Sequence, residues 1–396
     1  MSDWVLVLNA GSSSLKYSLV DASTGDSVAG GMVERIGEPT GLVLHRGPNG
    51  ETTNEQKVES HEDALRAVLG SFASHGPALD DVDLTAIGHR VVHGGRFSAP
   101  ALVDDELLEA VADLVPLAPL HNPANLEGMQ VARLLFPDLP QVAVFDTAFH
   151  QTLPEHAYTY AVPRSWQEEH RVRRYGFHGT SHAFVSREAA RLLGRAPEQV
   201  NVIVLHLGNG CSATAVCKGR SVDTSMGMTP LEGLVMGTRS GDVDPALHAH
   251  LAREVGWTLE EIDHALNRES GLKGMAGEND FRELVRLRDA GNARAQLAFD
   301  VYSYRIRKYV GAYYAVLGTV DAIVFTAGVG EHSPALRAQV LGGLESLGIH
   351  LDEDRNAADV ADARVVSAQD SPVAVIVVPT NEEWEIARQS LAVVRP

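Results

Sequence analysis

The stretch VLVLNAGSSSLKYSLVD, residues 5–21, decides the fold. It opens on an apolar run, breaks at a turn of small residues from Asn9 to Ser14, and resumes as an alternating strand through Leu15, Tyr17 and Leu19. That pattern predicts a β-hairpin with a polar, glycine-containing tip. The same plan recurs in VIVLHLGNGCSATAVCKG, residues 202–219, where the turn is Gly208 to Gly210 and Gly11 is matched by Gly208. A second echo pairs VAVFDTA, residues 142–148, with AIVFTAG, residues 322–328, in the same order along the chain. Two echoes in matched order predict a duplicated α/β domain, with a boundary near residue 150.

Helical periodicity fills the spaces between these strands, over residues 125–136, 181–193, 245–255 and 293–317. Thr258 with Glu261, and Thr380 with Glu383, fit the capping box of a helix start, so a last helix should begin near Glu382. Residues 37–60 read as a hairpin or loop excursion. Strands alternating with helices give α/β layers. The expected domains are residues 1–150, with the helix 382–396 packing back on them, and residues 151–381.

Bulk composition narrows the function classes. A chain of 396 residues, 44% apolar and 21% charged, suits two globular domains of roughly 100–200 residues each. No run approaches the roughly 18 to 20 apolar residues of a membrane span, and the first strand begins at once, so a cytoplasmic protein with no membrane partner is expected. The net charge of −19 repels a phosphate backbone and argues against nucleic acid. Cys211 and Cys217 would stand roughly 20 Å apart on one extended strand, beyond the roughly 7 Å reach of a disulfide, so both should remain thiols.

The two glycine turns are the first candidate site. Small residues let backbone N–H groups approach phosphate oxygens, and Asn9, Ser12, Ser14, Lys16, His206 and Asn209 add side-chain donors. One such turn alone would be an ordinary hairpin tip; two related ones carry more weight. Neither fits G-x-x-x-x-G-K-[ST], and no G-x-G-x-x-G joins a strand to a helix, which weakens P-loop and Rossmann readings. Paired domains with a phosphate hairpin in each point to an actin-like ATPase architecture, in which nucleotide lies in the cleft between domains.

Arg90, in GHRVVHGG, and Arg239, in the loop GMTPLEGLVMGTRSGDVDP expected to be exposed, can each offer a fork to a carboxylate or phosphoryl group; a surface ion pair is the ordinary alternative. HGTSH spaces His178 and His182 as H-x₃-H, as do His89 and His93, so zinc has to be weighed. Gly179 should interrupt a helix there and no H-E-x-x-H is present, so a His178 that donates a hydrogen bond to a transferring phosphoryl group, with His182 in the core, explains the motif as well. Asp146 ends an apolar strand, where open α/β sheets place ligand residues, although a cap or turn would also suit it. Glu382 suits a helix's first turn on macrodipole grounds alone. Gly328 and Gly330 follow a strand as a turn against which an adenine could pack, and Asp280 with Arg282 could flank the same base.

Taken together, LNAGSSSLKYSL, HRVVHGG, PLHNP, VFDTAFH, RRYGFHGTSH, LHLGNGCS, DTSMGMTPLEGLVMGTRSGDVDP, FTAGVGEHS and TNEE resemble the acetate kinase family, in order and over nearly the whole chain. The resemblance implies duplicated actin-like ATPase domains, ribonuclease H-like, with an interdomain active-site cleft. It also implies direct in-line transfer of the ATP γ-phosphoryl to acetate, giving acetyl phosphate and ADP, by a cytoplasmic homodimer. Asn9 and Glu382 would hold Mg²⁺, for which Mn²⁺ can substitute, and Asp146 would be the catalytic carboxylate. Arg90 would bind acetate, His178 and Arg239 would stabilise the moving phosphoryl, and His121 would support the site. Ser12 and Lys16 would meet the phosphates, and Val92, Leu120, Phe177 and Pro230 would line the acyl pocket. Nucleotide contacts would come from His206, Leu207, Gly208, Asn209 and Gly210; from Asp280, Phe281 and Arg282; and from Gly328, Val329, Gly330, Glu331 and His332. His332 departs from the Asn usual in the family, and Glu278 stands where a small polar residue is common, which puts purine choice in question. A propionate or butyrate kinase of the same fold, a non-enzymatic actin-like ATP-binding module and a zinc hydrolase are the competing readings.

Overall fold

Alternating apolar strands build a central sheet in each half of the chain, and the computed structural model describes residues 3–395. Two compact units are present: Met1–Gln151 joined by Asn381–Pro396, and Thr152–Thr380.

The first unit carries β1 (Trp4–Gly11), β2 (Ser14–Asp21), β3 (Ser27–Glu34), β4 (Gly41–Gly47), β5 (Gly50–Gln56), β6 (Leu84–Val91), β7 (Ala101–Leu102) and β8 (Gln141–Phe145). They lie in the order β5-β4-β3-β2-β1-β6-β8-β7. β1 and β2 form the predicted hairpin, Leu8 opposite Tyr17 and Gly11 opposite Ser14. β6 and β8 run parallel to β1 and to each other, so the C-terminal ends of three strands share one edge. The excursion at residues 37–60 resolves into the antiparallel pair β4–β5. The helices His61–His75 and Asn122–Leu135 contribute Ala64, Leu65, Val68, Phe72 and Ala132 to a core shared with Leu6, Leu8 and Leu19. On another face Ile386 and Ala387 of the terminal helix Glu382–Val394 meet Val5, Val7, Ala86, Val142 and Val144. Gly88 permits that close approach, because a Cβ there would lie 2.7 Å from Ser390 Oγ and 2.8 Å from Ile386 Cγ2.

The second unit repeats the plan with β9 (Asn201–Leu207), β10 (Cys211–Cys217), β11 (Arg220–Thr224), β12 (Ala322–Thr326), β13 (Arg364–Val365) and β14 (Ala374–Val377), ordered β11-β10-β9-β12-β14-β13. β9–β10 is again a hairpin, and β12 and β14 run parallel beside β9. Laid on each other, β3-β2-β1-β6-β8 and β11-β10-β9-β12-β14 correspond strand for strand. This corrects the second sequence echo: β12 holds the position of β6, whereas β8 matches β14. The two phenylalanine-ending strands looked alike because fully buried parallel strands draw on the same few apolar residues.

Local details agree or differ for stated reasons. The helix Ala293–Leu317 matches its expected bounds, and Thr258 and Glu261 form the reciprocal capping box. The Thr380–Glu383 box does not form. Asn381 caps the terminal helix by accepting from Trp384 N at 2.9 Å, while Thr380 Oγ1 is 2.8 Å from Ser181 Oγ. Among the described residues both cysteines are free thiols, and no helix is long and apolar enough to cross a membrane. Pro396, within the expected helix 382–396, lies outside the described residues.

Candidate active site

In the first unit, residues gather where β1, β6 and β8 end. β1 and β6 pair with Leu8 opposite His89, which sets Asn9 beside Arg90 on neighbouring strands. Arg90 Nε lies 3.1 and 3.2 Å from the two oxygens of Asp146 and Nη2 lies 2.7 Å from Oδ2, a two-pronged clasp. Glu382 Oε2, at the start of the terminal helix, is 3.8 Å from the same Nη2. Burial opposes the Arg90 charge, but Asp146 and then Glu382 more than offset it, and its pKa is raised. The Asp146 side chain is 2% exposed and that of Arg90 is 21%. A buried ion pair contributes little net stability compared with apolar residues of the same shape, so its presence here argues for use. Asp146 takes Nε–H and one Nη2–H of a guanidinium that has five donors, which leaves three for a ligand.

Two asparagines that sequence reasoning missed hold this segment. Asn122 Oδ1 accepts from His93 N at 3.1 Å while its Nδ2 donates to His93 O at 3.0 Å. Asn125 Oδ1 accepts from Val92 N at 3.0 Å and Nδ2 donates to Ala10 O at 2.7 Å, tying the end of β1 to the segment after β6. Buried asparagines in the first turn of a helix were the available signal; the expected helix began three residues late, at 125. His121 precedes that helix, Leu120 is half exposed, Val92 is partly buried, and Ser12 and Lys16 are exposed on the hairpin.

In the second unit two of the predicted site residues, His178 and Arg239, flank the hairpin tip 208–210. A Cβ at Gly210 would lie 3.5 Å from His178 Nε2 and 3.8 Å from Arg239 Nη1, so both side chains lean over this turn. His178 adopts the left-handed region at φ 56° directly before the helix Gly179–Leu192. Such strain in a residue with a side chain concentrates at functional positions. Gly179 therefore starts the helix rather than interrupting it. The His178 ring stacks on His206 with centroids 4.2 Å apart, and His206 Nδ1 lies 2.8 Å from Ser181 Oγ. His178 Nδ1 and His182 Nε2 share one hydroxyl, Ser212 Oγ, at 2.9 and 2.7 Å. The H-x₃-H spacing thus serves a serine, and among the described residues no three His, Cys, Asp or Glu side chains gather as a metal group.

Arg239 is half-buried, not on an exposed loop as expected. Its Nη1 donates to Pro230 O at 3.0 Å and lies 3.6 Å from Met236 Sδ. Among the described residues it forms no ion pair, and burial lowers its pKa, with Arg268 adding to the effect. A desolvated guanidinium with only neutral acceptors is a ready anion site. The loop is seated on the hairpin by Gly237 N, which donates to Asn209 O at 2.9 Å. Arg174, also missed, donates to the carbonyls of Thr224, Ser225 and Met226 and to Glu232, and so ties the two ends of the 224–232 segment together. Phe177 is buried.

The remaining nucleotide candidates fall on helix starts. Asp280 caps the helix Phe281–Asp289 and is clasped by the exposed Arg282, while Phe281 packs on Tyr302, whose hydroxyl is 3.0 Å from Cys211 Sγ. Cys211 Sγ in turn donates to Gly208 O at 3.2 Å, connecting this helix to the hairpin tip. Glu278 accepts from Asp280 N at 2.7 Å. Gly328 and Gly330 lie in a short helix, Ala327–His332, instead of the expected turn. A Cβ on Gly328 would meet nothing within 4 Å, His332 is exposed, and Glu331 accepts from Thr380 N at 3.1 Å. Arg337, fully buried and unforeseen, donates to the carbonyls of Gly330 and Glu331 at 2.7 and 2.9 Å. Burial, then Arg364, pulls its pKa down to about 10.

Residues 4–388 match the model of the Acetokinase family. The acetate kinase of Streptomyces avermitilis is 58% identical over 395 residues, covering 98% of this chain and 97% of that protein. Among solved structures, Porphyromonas gingivalis acetate kinase superposes with a TM-score of 0.95 at 43% identity, covering 99% of this chain and all of that one. A propionate kinase from Francisella tularensis superposes with a TM-score of 0.92 at 41% identity, covering 98% of each chain.

Proposed function

The chain belongs to the acetokinase family, and from that premise we propose that it transfers the γ-phosphoryl group of ATP reversibly to acetate, giving acetyl phosphate and ADP. The observation that carries this reading is the Arg90–Asp146 clasp at the ends of β6 and β8, which leaves guanidinium donors free for a small carboxylate. Asp146 fixes the arginine fork. Val92, Leu120, Phe177 and Pro230 serve the acetate methyl group.

The phosphate side is served by the Asn209 and Gly210 amides of the hairpin tip, the Asn209 side chain, Lys16 and Ser12. Charge that develops on the transferring group is met by Arg239 and by the His178 ring. This is the form of catalysis phosphoryl transfer needs, since a loose transition state leaves the protein mainly positioning and charge to supply. His121 supports the site, and Asp280–Arg282 and Gly328–His332 serve the nucleoside. Transfer is direct and in line, with no phosphoenzyme.

The donors near Arg90 fit a hard divalent cation: Asp146 and Glu382 are carboxylates that approach one guanidinium, and Asn9 offers a neutral oxygen on the adjacent strand. Asn9 and Glu382 would hold Mg²⁺, or Mn²⁺ in its place, which would neutralise phosphate charge. A cytoplasmic homodimer completes the proposal, on resemblance alone.

Incubating the purified protein with Mg·ATP, acetate and hydroxylamine should yield acetohydroxamate in proportion to ADP. ADP release that does not depend on acetate would instead favour an actin-like ATPase module. A propionate kinase superposes almost as well, so acetate is ranked first on the identity of the acetate kinase relatives, and the ratio of kcat/KM for the two acids decides.

A further inference from the structure

We propose that Ser212 is a positioning residue for His178, its hydroxyl setting which ring nitrogen of that histidine carries a proton over the glycine turn. This rests on the assignment of His178 to the transferring phosphoryl group.

Ser212 lies in β10 with its side chain fully buried. Its Oγ is 2.9 Å from His178 Nδ1 and 2.7 Å from His182 Nε2. A hydroxyl has a single proton to give, so at least one imidazole must donate into it. In one arrangement His182 Nε2–H donates to Oγ, Oγ–H donates to His178 Nδ1, and a neutral His178 carries its proton on Nε2. If instead His178 Nδ1–H donates to Oγ, whether or not His182 also does, a neutral His178 presents a lone pair at Nε2.

Nε2 is the ring nitrogen that faces Gly210, near Arg239 Nη1. A phosphoryl oxygen there accepts from Nε2–H in the first arrangement and is repelled in the second. An anionic ligand therefore selects the first, and Ser212 supplies the proton at Nδ1 that holds it. The ring plane is fixed separately, by the left-handed backbone of His178 and by the stack on His206. What is left to the serine is the placement of the proton. Residues 178 and 182 stand one helical turn apart, which is why one hydroxyl reaches both.

The test uses full-length Ser212→Ala and His178→Ala with steady-state kinetics, and ¹⁵N-histidine spectra of the wild type and Ser212→Ala with ADP bound. Ser212→Ala should lower kcat about 10- to 100-fold, while KM for ATP and acetate stays within about twofold. The wild-type His178 signal should be that of the Nε2–H tautomer, and Ser212→Ala should lose that preference. Wild-type kcat in Ser212→Ala with His178→Ala impaired would overturn the inference and leave the role of His178 standing. Full activity in His178→Ala would remove that role and the inference with it. If Ser212→Ala does not fold, the wild-type spectrum alone decides, and an Nδ1–H tautomer overturns the proposal.

Discussion

Arg90 combines a buried partner with spare donors, and that combination gives its substitutions distinct outcomes. Arg90→Ala removes the guanidinium from an Asp146 side chain only 2% exposed, and Arg90→Lys keeps the charge but loses the fork. Both should lower kcat/KM for acetate by about 10²-fold or more, with Lys little better than Ala, because two-pronged geometry is what Asp146 holds in place. Recovery by Lys to within a few-fold of wild type in a steady-state assay would mean that charge alone matters. Val92 makes a milder prediction. One methylene in a pocket changes discrimination by roughly 1 to 3 kcal/mol, so Val92→Ala should move the acetate to propionate ratio of kcat/KM toward propionate by about tenfold. An unchanged ratio would take Val92 out of the acyl pocket.

Turns and helix starts carry nearly all the candidate residues, and their packing is tight enough to test. A Cβ on Gly237 would sit 1.9 Å from Asn209 Oδ1, with the nearest backbone atom, Asn209 O, at 3.4 Å. Gly237→Ala should therefore push the Asn209 side chain aside and raise KM for ATP by about three- to tenfold, with the thermal midpoint changed little. A loss of folding instead would show that the loop itself cannot accommodate the methyl group. The hairpin tips were legible in the sequence because glycine and small polar residues between apolar runs have few other uses. Arg90, Asp146, His178 and Arg239 were legible mainly because their motifs resemble a known family; from residue type alone each had an ordinary alternative. Asn122, Asn125, Arg174 and Ser212 were not, since each acts through a hydrogen bond to a distant segment and nothing in local periodicity marks it; Arg337 was not, because its bonds to Gly330 and Glu331 turn back onto the preceding short helix. The short helix at Ala327 escaped notice for a related reason: its first residue takes φ 62° without being glycine.

At the scale of the whole molecule, two sheets of matching strand order carry the duplication, which the hairpin echo revealed and the second echo misaligned. Stability should follow pH through the buried histidines of the first unit. Burial lowers the pKa of His89 to about 4, partly opposed by its bond to Gln141, and burial lowers His93 to about 4 as well. The unfolded chain binds these protons from roughly pH 6.5 downward. The folded state resists them, so the contribution is complete above that pH and lost as pH falls toward 4. Each site should make the protein about 2 kcal/mol less stable at pH 5 than at pH 7. Urea unfolding at the two pH values checks this, and His89→Gln should remove its share; an unchanged difference would mean that His89 titrates normally.

The proposed activity is one direct phosphoryl transfer to a carboxylate held by Arg90. It is tested most directly by supplying ATP made chiral at the γ-phosphorus with oxygen isotopes and determining the configuration of the acetyl phosphate formed. One in-line displacement predicts inversion; retention would contradict the account and require a phosphorylated enzyme between the two substrates.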